Sequence, residues 1–134
     1  MTTLRLTLLA ALLAGPAAAA GPMTAEAFEA LAEGHVLRFT LQGAPFGAEQ
    51  YFSGRRSLWQ YADGTCAAGV WWPAAGGICF RYEERSDNQC WRFEDRPDGF
   101  AAELVEGGAG TGFVLELSRR DDAPLPCPGP RVGS

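Results

Sequence analysis

Between Gly34 and Leu117 the chain meets a turn signal about every ten residues, and that spacing limits what it can fold into more than any other feature. The signals are Gly43-Ala44-Pro45, Ser53-Gly54, Asp63-Gly64, Pro73 to Gly77, Arg85 to Asn88, Pro97-Asp98-Gly99 and Gly107 to Gly110. The runs between them are too short for helices and rich in aromatic and β-branched residues. Leu37, Phe39 and Leu41 alternate with Arg38 and Thr40, the period of a half-buried strand. Eight strands are predicted, at 36–42, 48–52, 57–61, 65–72, 78–82, 89–93, 100–105 and 111–117, in the rhythm of an antiparallel meander. Tyr51-x-x-Gly54 recurs as Tyr61-x-x-Gly64, as expected where one hairpin follows another with a matched turn. An open sheet of this kind would leave two unpaired edges, so the expectation is a small barrel or a strongly curled sheet. One short helix precedes it at 24–33, with Thr24 as N-cap, Glu26 and Glu29 early, Phe28 and Leu31 on one face, and Gly34 at the end.

Residues 1–20 read as a signal peptide: Arg5, an apolar run from Leu6 to Ala14, the Gly15-Pro16 break and a small-residue cleavage site ending at Ala20. Residues 21–117 then form one β domain, and 118–134 a Pro-rich extended tail. Export to the periplasm is implied, and Gly21, not a cysteine, directly follows the cleavage point, so no lipid anchor is expected. A domain of this size buries only about two-thirds of its unfolded surface, so covalent staples matter. All four cysteines lie beyond the leader, an even number in an oxidising compartment. Pairing Cys79 opposite Cys90 puts Ile78, Phe80, Tyr82, Trp91 and Phe93 together on the other face of a hairpin, so register and alternation agree. Cys66 then pairs with Cys127 and ties down the tail.

Composition excludes several functions. Without the leader, ten arginines face sixteen carboxylates, a net charge of −6, which disfavours nucleic acid and anionic membranes as partners. No apolar stretch is long enough to span a bilayer. The chain has no lysine, so Lys-based catalysis is excluded. The cysteines are separated by 12, 10 and 36 residues, unlike the close pairs of a zinc site, and no C-x-x-C-H is present, so no cofactor is expected. His35, beside the helix end, reads as a surface or capping residue. Glu83, Glu84, Asp87, Glu94, Asp95 and Asp98 fall at turns and lack the ligand spacing of a calcium loop.

The aromatic residues carry the functional signal. Trp59 and Tyr61 share a strand face, Trp71 is placed to join them, and Tyr82 and Trp91 follow on neighbouring strands. These five are the candidate ligand-binding residues, suited to an apolar or planar guest. The competing expectation is that such rings simply fill an eight-stranded barrel, whose interior holds little beyond its own side chains.

The order Tyr51-x-x-Gly54, Tyr61-x-Asp63-Gly64, Gly69-x-Trp71, Ile78-Cys79-Phe80 and Cys90 resembles small exported proteins of alphaproteobacteria built from a short helix and a paired-cysteine meander. That resemblance implies a periplasmic home and no particular activity. Calycins also carry a G-x-W, but on the first strand, so they are similar in architecture alone. The leading expectation is a non-enzymatic periplasmic β-module that binds an envelope protein or a small apolar ligand. Two alternatives stand beside it: a hydrolase of envelope polymers using acids among Glu83, Glu84, Glu94 and Asp95, and a lysozyme-inhibitor-like protein presenting the loop Glu83 to Asn88.

Overall fold

The computed structural model describes residues 15, 21–74, 76–97 and 99–128. The expected signal peptide, apart from Gly15, and the last residues of the tail lie outside the described residues. Thr24 is extended (φ −70°, ψ 160°) and its hydroxyl accepts the Ala27 N–H at 3.1 Å, which starts α1 at Ala25–Ala32. Gly34 takes φ +81°, a conformation open to glycine at little cost, and turns the chain into the sheet.

Eight strands follow: β1 Val36–Leu41, β2 Ala44–Phe52, β3 Arg56–Tyr61, β4 Cys66–Ala74, β5 Gly77–Tyr82, β6 Gln89–Arg96, β7 Gly99–Glu106 and β8 Ala109–Asp121. Each is antiparallel to the next, and β1 pairs with β8, so the meander closes into a barrel. Four strands run two or more residues further than the sequence suggests, β4 to Ala74, β6 to Arg96, and β2 and β8 furthest. β2 starts at Ala44 because a bulge absorbs Pro45: Thr40 faces Pro45 while Phe39 faces Gly47. Pro45 has no N–H to give, and a bulge is where a strand tolerates that. β8 continues to Asp121 because β1 requires a partner along its whole length, with Val36 opposite Asp121 and Arg38 opposite Arg119. Residues 118–121 therefore belong to the sheet and not to the tail. The remaining tail packs Leu125 on Val36 and Ala48 and ends in the Cys66–Cys127 bridge. Cys79 and Cys90 are directly opposed and bridged.

The helix closes one end of the barrel. Phe28 is fully buried there and meets Tyr51, Trp71, Phe80 and Phe93, with ring centroids 4.6 to 6.4 Å apart. Burying one such side chain contributes about 1.5–3 kcal/mol. Met23 donates its N–H to the Phe93 carbonyl at 2.7 Å, which ties the entry to the helix onto β6. The β1–β2, β3–β4, β5–β6 and β7–β8 turns gather at the opposite end, where no helix among the described residues forms such a stopper.

Candidate functional site

Very small residues stand at particular inward positions among large ones, and this shapes the interior. Gly47 faces Tyr61 and lies beside Trp59, whose ring occupies the space a Cβ would take. Gly69 faces Tyr82, and a Cβ there would lie 2.7 Å from Tyr82 Cδ1. The Gly of Gly69-x-Trp71 is thus a seat for the ring on the next strand. The Trp59 and Tyr82 rings thus rest against the neighbouring backbone at Gly47 and Gly69. With Ala102 also facing inward, a cavity of about 260 Å³ remains in the open half.

Four of the five sequence-derived candidates line that cavity: Trp59, Tyr61, Tyr82 and Trp91. Trp59 and Tyr82 are buried, Trp91 is half-buried, and Tyr61 stands at the rim, 37 % exposed. Trp71 does not line it. It is buried at the closed end against Phe28, with the Arg55 guanidinium 5.0 Å from its ring centre, and Arg55 reaches Glu29 of the helix at 3.5 Å. The reason is register: Trp71 faces Phe80, one inward step closer to the helix than the Gly69–Tyr82 pair. The mouth is completed by Phe46, Phe113 and Arg85, with Phe113 5.7 Å from Phe46 and 6.1 Å from Trp91.

At the inner surface of the cavity is an acid that the sequence reading passed over. Glu49 is 3 % exposed and lines the cavity. Its two oxygens accept separate phenol O–H groups, from Tyr82 at 2.7 Å and from Tyr51 at 2.9 Å. Wholly buried Ser57, opposite Tyr51, leaves its Oγ without a partner of hydrogen-bonding geometry, yet is near enough to favour the carboxylate form. Burial pushes the Glu49 pKa above its ordinary 4.5, against the opposing pull of Tyr82, Ser57 and Tyr51. Burial first, and then the Glu49 charge, push both phenols well above 10, so they remain donors. The signal for Glu49 was its parity, since it sits two residues from Tyr51 and therefore on the same face of β2.

The surface acids are arranged differently. Glu83 and Glu84 follow β5 at the mouth, whereas Glu94 and Asp95 lie toward the other end of β6, opposite Ala101 and Phe100. Glu94 pairs with Arg92 at 3.2 Å. The fold thus divides the four acids of the hydrolase alternative between the two ends and forms no shared cleft from them. The Glu83 to Asn88 connection is exposed but tethered. Tyr61 donates to Glu84 at 2.7 Å, Arg85 holds Asp87 through two bonds of 3.0 and 2.8 Å, and Glu83 N–H donates to the Ala68 carbonyl. Burial and the Glu84 contact push the Tyr61 pKa up to about 12. His35 pairs with Asp122 beside the helix end, away from the cavity. Among the described residues, no three His, Cys, Asp or Glu side chains converge to hold a metal ion, and no helix is long and apolar enough to cross a membrane.

Comparison with protein-family models, with curated proteins and with solved structures returns no match. Barrels of this kind host many unrelated functions, so function has to be read from the cavity itself.

Proposed function

We propose that the protein is a non-enzymatic binding module of the periplasm that holds a small, largely apolar ligand inside its barrel. The observation that carries this reading is the aromatic-walled cavity of about 260 Å³, stoppered by Phe28 at one end and open at the other. Apolar cavities of roughly 150 Å³ accept a guest the size of benzene, so this one suits a molecule of one or two rings. The mixture of apolar walls with one convergent polar group, Glu49 with its two tyrosines, is typical of small-molecule sites. The two disulfides accord with an oxidising compartment, and the leader-like first twenty residues support export to it.

The test is native mass spectrometry of protein taken from the periplasm, with tryptophan fluorescence as a second readout. Trp59 and Trp91 on the cavity wall make emission sensitive to a guest. A co-purifying small molecule whose removal shifts the emission supports the reading. A clean apo mass, combined with emission that no aromatic probe alters, refutes it and transfers the function to a protein partner.

A further inference from the structure

The charge balance inside the cavity specifies its guest further, given that the cavity is a ligand site as proposed above. We propose that the ligand is a small organic cation, a protonated primary amine on an apolar body of about one ring, with its ammonium set against the Glu49 carboxylate. Glu49 is the acid of the cavity wall, and among the described residues it forms no ion pair. Each of its oxygens accepts one phenol O–H and retains a free lone pair, which suits an ammonium with three donors. A lone buried charge is costly, and an opposite charge with good hydrogen bonds offsets that cost.

Two further observations point the same way. The rings that line the cavity with Glu49, including Phe39, Trp59 and Phe80, are of the type whose π faces attract cations. At the mouth, the cationic Arg85 is held by Asp87, while Glu84 and Asp63 add negative charge to neighbouring turns. An anionic guest would meet an acidic rim and then a buried acid. A neutral guest would leave the Glu49 carboxylate with only its two phenol donors and no opposite charge.

The experiment titrates the full folded protein at neutral pH with 2-phenylethylamine and with its neutral counterparts 2-phenylethanol and N-acetyl-2-phenylethylamine, following tryptophan emission. The amine is expected to bind about tenfold more tightly than the alcohol, the value of one charge-assisted contact over a neutral one. In Glu49→Gln the two should converge, with the alcohol little changed. Equal affinity of the three compounds for the unaltered protein overturns the inference without needing a variant. So does an amine preference that survives in a Glu49→Gln protein with native near-ultraviolet dichroism. Binding of the alcohol alone leaves the cavity reading standing and removes the cation, whereas no binding of any compound also removes the cation and leaves the cavity reading to the native-mass test.

Discussion

Glu49 and Gly69 show how single residues set the interior. Glu49 is buried and held by two phenols, and its raised pKa has a thermodynamic consequence. The folded protein retains the proton at pH values where the unfolded chain has released it. More protons bound in the native state means that stability falls as pH rises above the ordinary glutamate value of 4.5. Chemical denaturation at pH 4 and pH 7 should therefore show the parent protein losing stability relative to Glu49→Gln as pH rises across that interval. An unchanged difference between the two pH values in the variant would assign the loss to other groups. Gly69 acts through sterics: its added methyl would meet the Tyr82 ring at 2.7 Å and the Arg81 carbonyl at 3.0 Å. Gly69→Ala should cost about 1–3 kcal/mol, as overpacking does, and should also disturb the Tyr82–Glu49 contact. The denaturation midpoint together with tryptophan emission would register both effects. Neither role is written locally. Gly69 reads as a generic small residue and Glu49 as a polar strand residue until a neighbouring strand is laid against each.

At the scale of elements, hairpins follow from short-range rules. Gln42-Gly43 and Gly107-Gly108 both carry positive φ at two successive residues (50° and 81°, 58° and 81°), the geometry whose twist matches that of a two-residue hairpin. The Cys79–Cys90 register was also legible, since hydrophobic alternation on both strands admits one alignment. The early start of β2 was not, because Pro45 reads as a turn residue unless its bulge opposite Thr40 is known. The two disulfides constrain different lengths of chain, with sequence separations of 11 and 61. On the chain-entropy account, removing the shorter bridge should cost about 3 kcal/mol and the longer about 4 kcal/mol. Paired Cys→Ser variants, Cys79 with Cys90 and Cys66 with Cys127, compared by urea denaturation, test that order. A larger loss for the hairpin pair would contradict it. Only the Cys66–Cys127 variant should also free the tail, detected as faster proteolysis after β8.

For the whole molecule, closure and the cavity go together. Eight strands make a ring barely wide enough for its own side chains, and the space inside exists because large rings rest against the backbone at Gly47 and Gly69. Ala102, buried on the cavity wall, is the position to fill. Ala102→Leu should raise stability by about 0.5–2 kcal/mol, as cavity filling commonly does, while weakening any aromatic guest. A stability gain with undiminished binding of 2-phenylethylamine would place the guest elsewhere. Sequence alone pointed to the helix, the eight strands, their order and the Cys79–Cys90 hairpin pair, because turn preference, period-2 alternation and hairpin register depend on residues near one another in the chain, whereas Cys66–Cys127 was one choice among the pairings that four cysteines permit. Tertiary structure decided the rest. The β1–β8 seam joins residues about eighty apart, such as Arg38 and Asp121, whose ion pair at 2.8 Å lowers the Asp121 pKa to about 2. That seam carried β8 past Leu117, the β4–β5 register set Trp71 at the closed end with Phe28, and Tyr82 brought from β5 to β2 made Glu49 a buried, hydrogen-bonded acid. An inward side of a strand becomes a particular depth within a cavity only when the ring closes and every strand's offset along the barrel is fixed at once.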